Sequence, residues 1–282
     1  MGTLYLVPTP LGNLEDITLR ALRTLKEVSL IATEDTRTTG RLLKHFEISR
    51  PLVSYFEHNK LARLERVLDE LASGDVALVS EAGTPLLSDP GHELVQAAIE
   101  RGFQVVSLPG PSAITAALPA SGLSTDRFLF LGFLPRKAGA RRRFLEEVKA
   151  QPATLVIFET PHRLLAALAD MVDILGGNRN IALCRELTKL HEEIWRGTLT
   201  ASLQAWRQRE PRGEFTLVVS GAAPPPIWDE AQVEAALQDK MACGTNSKEA
   251  LRQITERSGW SKREVYAVAL RLKDSGQRIE ES

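Results

Sequence analysis

The run Val76-Ala77-Leu78-Val79 ends abruptly at Ser80-Glu81-Ala82-Gly83-Thr84-Pro85-Leu86-Leu87-Ser88-Asp89-Pro90-Gly91, and this junction constrains the fold more than any other stretch. Four apolar residues without polar alternation suit a strand buried on both faces, which requires a parallel sheet with helices on either side. Asp89-Pro90 reads as an N-cap followed by proline at the first helical position, so the loop is expected to run from a strand end into a helix start. Open α/β sheets gather their ligands at such loops. Ala82, Leu86 and Leu87 offer apolar contacts to a flat ring, while backbone N–H groups near a helix start favour a carboxylate.

The same rhythm recurs on both sides of this loop. A strand over 4–7 precedes Pro8-Thr9-Pro10-Leu11-Gly12-Asn13, and Asp16 is the expected N-cap of a helix with the stripe Ile17, Leu19, Leu22, Leu25 and Val28. A strand over 30–32 runs into Glu34-Asp35-Thr36-Arg37; a helix over 39–45, a strand over 51–55 and a helix up to Gly74 follow. A helix through Leu94, Val95, Ala98 and Ile99 and a strand over 105–108 lead to Pro109-Gly110-Pro111-Ser112, which opens a small-residue helix over 113–120. These segments predict a mainly parallel α/β domain over 1–122, with its loops gathered at the strand ends.

Strands over 127–131, 154–158, 181–183, 193–197 and 215–220, with helices over 160–175 and 202–209, predict a second α/β domain over 123–221. Its hairpins imply a mixed sheet. Ala222-Ala223-Pro224-Pro225-Pro226 reads as a stiff linker. Helical patterns over 230–241, 247–257 and 261–273 make a small tail within 222–282, the last opening on the capping box Ser261-Lys262-Arg263-Glu264.

With 282 residues, 43% of them hydrophobic, the chain can bury a substantial core. A formal net charge of −1 leaves any contact with nucleic acid to local basic patches. Cys184 and Cys243 are too few for a disulfide framework or zinc cluster and suit a reduced compartment. The N-terminus lacks the pattern of a signal peptide, and no run approaches the roughly 20 apolar residues of a membrane span, so a cytoplasmic protein without membrane contact is expected. His45, His58 and His191 share no ligand spacing, so no metal is expected. Trp195 and Trp206 read as core, and Trp260 as a staple between tail helices. No Gly-x-Gly-x-x-Gly follows the first strand, against a Rossmann dinucleotide enzyme.

Pro8-Thr9-Pro10-Leu11-Gly12-Asn13-Leu14, Glu34-Asp35-Thr36-Arg37, residues 80–91, Leu108-Pro109-Gly110-Pro111, Glu159-Thr160-Pro161-His162-Arg163 and Arg185-Glu186-Leu187-Thr188-Lys189 occur in order over nearly the whole chain. Together they resemble the small-subunit ribosomal RNA methyltransferase I family, within the tetrapyrrole methylase fold group. The resemblance implies an S-adenosylmethionine-dependent 2′-O-methyltransferase acting on a cytidine of the decoding region of small-subunit (16S) ribosomal RNA. It also implies two α/β domains with the cofactor in the cleft between them, and a homodimer. Glu81 stands where the family commonly has Asp, and Pro8 and Pro10 stand where distant tetrapyrrole methylases tend to have glycines.

Carried over by position, the resemblance implies cofactor contacts at Pro10, Leu11, Ala82, Gly83, Thr84, Leu87, Ser112, Ala113, Phe158, Leu187 and Gly213. A ribose hydroxyl is a poor nucleophile when neutral, so a base or an alkoxide-stabilising cation should stand nearby. The candidates at strand ends are Glu34, Asp35, Arg37, Glu159, Arg163, Glu186 and Lys189. The alternative for these is structural: Asp35 as a helix cap, and Glu186 with Arg163 or Lys189 as ion pairs. For RNA phosphates the dense basic run Arg136, Lys137, Arg141, Arg142 and Arg143, without interleaved acids, is the first candidate. The tail adds Lys248, Arg252, Arg257, Lys262, Arg263 and Lys273, alternatively a docking segment. Two rival functions stay open: a small-molecule tetrapyrrole methylase, which needs neither basic run nor tail, and a non-catalytic RNA-binding or assembly factor.

Overall fold

The computed structural model describes residues 2–55, 60–223 and 227–280, with backbone alone at 60–62 and 273–280. Residues 224–226 of the expected linker, His58 and the side chain of Lys273 lie outside the described residues. The chain divides into two compact units, Met1–Ala222 and Ala223–Ser282.

The first unit begins with β1 (Thr3–Val7), α1 (Leu19–Glu27), β2 (Leu30–Thr33), α2 (Thr36–His45), β3 (Leu52–Ser54), α3 (Lys60–Ser73), β4 (Val76–Val79), α4 (His92–Glu100), β5 (Gln104–Ser107) and α5 (Ala113–Ser121). The five strands form a parallel sheet in the order β3-β2-β4-β1-β5. Its apolar runs have the predicted cause, since both faces are covered. Leu4, Ala32, Val76 and Leu78 pack with Leu68 and Leu71 of α3 and Leu94 of α4, while Val7, Ile31, Ala77 and Val79 pack with Leu25 of α1 and Leu43 of α2.

Two helix starts differ from the expectation. Asp16 closes a single 3-10 turn, Leu14–Asp16, and α1 is capped by Thr18, whose hydroxyl accepts from the Ala21 N–H at 3.0 Å. Asp89-Pro90 does not start α4; Gly91 is its N-cap. Leu86 and Ser88 hold φ of 70° and 71°, left-handed turns that a helix cannot contain, and Gly91 follows at 134°. A Cβ at Gly91 would fall 2.6 Å from Leu78 Cδ2, so the chain crosses β4 here only as glycine.

The second half continues with β6 (Phe128–Phe133), α6 (Ala138–Val148), β7 (Thr154–Glu159), α7 (Pro161–Leu175), β8 (Asn180–Arg185), β9 (Glu193–Thr198), α8 (Leu199–Arg207) and β10 (Phe215–Val219). The strand order is β6-β7-β10-β8-β9, with β6 and β7 parallel and the other pairs antiparallel, a mixed sheet as expected. One face, with Leu155, Ile157, Leu183 and Leu217, packs on α6, α7 and α8 around the buried Trp206. The other, with Val156, Ala182, Cys184 and Val218, receives Ile114, Ala117 and Leu118 of α5. Arg196 of β9 donates to the carbonyls of Ala120 and Ser121 at the end of α5. A helix of the first half is thus the cover of the second sheet, and this joins the two.

The second unit is α9 (Glu230–Ala242), α10 (Ser247–Ser258) and α11 (Lys262–Glu280) around Val233, Leu237, Ile254, Val265 and Val268. The Ser261/Glu264 capping box forms, with Ser261 N–H to Glu264 Oε2 at 2.7 Å and Glu264 N–H to Ser261 Oγ at 3.3 Å. Trp260 donates its indole N–H to the Trp228 carbonyl at 2.6 Å. No helix among the described residues is long and apolar enough to cross a membrane.

Candidate active site

The loops after β1, β4 and β5 are tied into one rim at the carboxyl end of the parallel sheet. Thr9 and Gly83 exchange backbone hydrogen bonds at 2.9 and 2.8 Å, and Ser80 Oγ donates to the Gly83 carbonyl at 2.9 Å. Thr84 Oγ1 donates to the Pro111 carbonyl at 2.9 Å. Gly83 takes φ +84°, which the turn requires. This rim and the facing ends of β6, β7 and β10 enclose a cleft of about 440 Å³.

All the cofactor candidates but Pro10 and Leu187 line this cleft: Leu11, Ala82, Gly83, Thr84, Leu87, Ser112, Ala113, Phe158 and Gly213. Pro10 instead lines a neighbouring depression with Thr38, Arg41 and His45. Leu187 is buried in the layer between α5 and the second sheet. Among the base and cation candidates, Glu34 and Glu159 line the cleft. Asp35, Arg37, Arg163, Glu186 and Lys189 do not. Asp35 caps α2 through the Arg37 N–H at 2.8 Å and pairs with the Arg37 guanidinium at 3.2 Å, the structural alternative. The Arg37 guanidinium beside it holds the Asp35 carboxyl below its ordinary range.

Glu186 and Lys189 brace the wall from behind. Glu186 Oε1 accepts from Lys189 Nζ and from the Glu214 N–H, both at 2.9 Å, and Lys189 also meets Glu214 Oε2 at 3.1 Å. Against the effect of burial, these bonds lower the Glu186 pKa and raise that of Lys189. The stem of Lys189 lies on Gly12, where a Cβ would be 2.2 Å from its Cγ, so the second half reaches across to the first loop. Arg163 pairs with Glu159 at 3.2 Å and donates to the Leu134 carbonyl. Burial raises the Glu159 pKa against the Thr160 N–H and Arg163.

Sequence reasoning missed the feature with the strongest electrostatics. Glu34, Glu81 and Asp89 all line the cleft, and among the described residues none of their side chains forms a hydrogen bond or ion pair. Burial, then Glu34 and Glu81, push the Asp89 pKa up to about 7. Burial, then Glu81 and Asp35, raise Glu34. No group of His, Cys, Asp and Glu among the described residues is arranged to hold a metal ion. Asp89 was legible only as a helix cap, because the left-handed turns before it leave no mark in residue type. Phe133, Thr160 and Glu214 also line the cleft without having been singled out.

The basic run divides. Arg141 is 6% exposed and pairs with Asp170 at 2.7 Å, so it does not face solvent. Arg142 meets Asp170 at 2.6 Å and Asp173 at 3.1 Å. The acids absent from the run come from α7, against which α6 packs. Arg136, Lys137 and Arg143 are exposed and form no such pair among the described residues. In the tail, Arg252 is held by Glu249 and Glu256, whereas Lys262 and Arg263 are exposed.

Residues 3–202 match the family profile "Tetrapyrrole (Corrin/Porphyrin) Methylases". A Synechocystis sp. protein named "Ribosomal RNA small subunit methyltransferase I" is 46% identical over 279 residues, covering 98% of this chain and 100% of its own. A relative of the same name from Halalkalibacterium halodurans is 50% identical over 273 residues, covering 95% of this chain and 94% of its own. The chain belongs to the ribosomal RNA small subunit methyltransferase I family. The crystal structure of uroporphyrin-III-C-methyltransferase from Thermus thermophilus, with TM-score 0.57 and 21% identity, covers 78% of this chain and 94% of its own, and shares the fold. This chain thus has a tetrapyrrole methylase fold with a helical unit beyond the part the profile matches.

In this family member the lip of the cleft at Gly213 tolerates no side chain. Gly213 has φ +83°, and a Cβ would lie 2.5 Å from the Glu186 carboxyl. Gly213→Ala is expected to cost about 1–2 kcal/mol from the backbone alone, and to displace Glu186 from Glu214. Urea denaturation beside a Glu186→Ala background, where the clash is relieved, checks it: the cost should shrink there.

Proposed function

We propose that this chain, as a cytoplasmic homodimer, transfers a methyl group from S-adenosylmethionine to the ribose 2′-hydroxyl of a cytidine in the decoding region of small-subunit (16S) ribosomal RNA. The relatives' names specify ribosomal RNA of the small subunit and support the substrate class. The observation that carries the chemistry is the convergence of three carboxylates, Glu34, Glu81 and Asp89, with no hydrogen-bond or ion-pair partner among the described residues, beside the small-residue turn Ala82-Gly83 in one cleft. The cleft suits such a donor: about 440 Å³ lies in the range of small-molecule pockets. Leu11, Leu87, Ala113 and Phe158 would hold the flat nucleoside, and the carboxylates would face the cationic end. When bound, the donor supplies an electrophilic methyl carbon whose bond to sulfur breaks as the oxygen–carbon bond forms.

Asp89 is the proton acceptor in this reading. A base works best with a pKa near the working pH, and Asp89 sits at about 7. Burial, reinforced by repulsion from Glu34 and Glu81, keeps it there. The locked rim from Thr9 to Pro111 holds the donor's position, where alignment of reacting atoms lowers the barrier. Glu159 and Arg163 fix the opposite wall. Arg136, Lys137 and Arg143, with Lys262 and Arg263 of the tail, neutralise phosphates.

Incubation with methyl-labelled S-adenosylmethionine and either small subunits, naked ribosomal RNA or uroporphyrinogen tests this. Label in RNA, recovered after digestion as 2′-O-methylcytidine by mass spectrometry, is the expected result, with kcat/KM rising through about pH 7 as Asp89 ionises. Label in the tetrapyrrole would turn the function to that of the Thermus thermophilus enzyme's name. Tight binding of subunits with no transfer would make the chain an assembly factor.

A further inference from the structure

The ladder between β6 and β7 is regular at Phe128/Thr154, Leu129/Leu155 and Phe130/Val156, and then slips so that Phe133 stands opposite Phe158. Leu131 and Gly132 therefore face Ile157 alone, a bulge of one extra residue, with Gly132 at φ +62°. In an unbroken strand Phe130 and Phe133 would point to opposite faces. The bulge turns Phe133 onto the same side as Phe130, where both rings meet Phe158 edge-on at centroid distances of 5.7 and 4.9 Å. Gly132 is also pinned beside the central loop, where a Cβ would lie 3.2 Å from Ser88 Oγ.

Without the bulge Phe133 would join the apolar face packed on α6 and α7. Instead it lines the cleft and is 47% exposed, whereas Phe215 deeper in the same cleft is 2% exposed. Leu134, next in the chain, is 1% exposed and its carbonyl is held by Arg163, so the ring stands on a fixed stem. The exposed cations Arg136 and Lys137 follow within four residues, at the start of α6.

From this juxtaposition we infer that Phe133 is the platform on which the base of the target nucleotide stacks, with Arg136 and Lys137 on the adjoining phosphates. Aromatic rings of this kind hold unpaired RNA bases by their faces, and the flanking charges hold the backbone. The base must leave its own stack to reach the ring, as in enzymes that flip their target nucleotide. The inference rests on the RNA reading proposed above and specifies which wall of the cleft takes the substrate.

Phe133→Ala, Phe133→Leu and Phe133→Tyr test it, with KM for small subunits measured beside the calorimetric Kd for S-adenosylhomocysteine. Removing the ring should raise KM about 5- to 150-fold, the range that stacking on an aromatic is worth. Phe133→Leu, which keeps an apolar side chain and guards against misfolding in the alanine variant, should show the same rise, and Phe133→Tyr should restore the parent value. The Kd for S-adenosylhomocysteine should stay within twofold throughout. A parallel rise in that Kd would assign the ring to the donor and overturn the inference, as would an unchanged KM in the alanine and leucine variants of a protein whose parent methylates RNA. A parent that methylates no RNA would overturn the wider reading, and this one with it.

Discussion

Asp89→Asn is expected to lower methyl transfer by about 10²- to 10⁴-fold, the usual contribution of a positioned base, while making the protein more stable above pH 7. The two effects have one cause. The folded pKa of about 7 exceeds the ordinary 3.8 because burial, Glu34 and Glu81 oppose the charge. The folded state therefore binds the proton more tightly than the unfolded chain. Stability linked to this group is fully present below about pH 4 and is lost as pH rises through 7. The shift corresponds to about 4 kcal/mol at most, and solvent access to this half-buried side chain reduces it to about 1–2 kcal/mol. Melting curves of parent and variant should coincide at pH 4 and separate at pH 8, with the variant higher. Glu34→Gln removes the larger neighbouring charge and should move the rise of the parent's pH–rate profile to lower pH. A variant equally active at all pH values would remove Asp89 from the chemistry.

Asp170→Ala is expected to destabilise the fold by about 3–5 kcal/mol, because it leaves the Arg141 guanidinium, 6% exposed, without its partner. Replacing both members by apolar residues, Arg141→Met with Asp170→Leu, should be close to neutral. Neither change should alter the salt dependence of binding to small subunits. Arg136→Ala, Lys137→Ala and Arg143→Ala should each leave the melting temperature in place and reduce that dependence by about one unit of slope per lost phosphate contact. Chemical denaturation and binding against salt separate the two groups. A full salt slope in the triple variant would move the RNA to another surface.

The division within the basic run shows why the site was less legible than the fold. Along the chain, residues 136–143 contain no acid, and their charges read as free. In three dimensions Asp170 and Asp173 arrive from a helix some 30 positions later and neutralise Arg141 and Arg142. Glu186 and Lys189 make the same point: three residues apart, they were legible as a pair, but their task of bracing Gly213 and Glu214 depends on a contact with the turn that leads into β10. The turn loops were legible because their proline, glycine and small residues follow directly from the backbone conformations they adopt.

Residue type alone determined the strands, most of the covering helices, the turn-forming loops at the strand ends and the helical unit at the end; the helix over 138–148 was hidden by its basic run. Each depends on local spacing, or on whether a face is wet or dry, and both are written in consecutive residues. Only the tertiary structure decided which charges are free, that Asp89 sits with Glu34 and Glu81, and that a one-residue bulge turns Phe133 into the cleft. Electrostatic energy and side-chain direction depend on distances between segments far apart in the chain, and no periodicity records those distances.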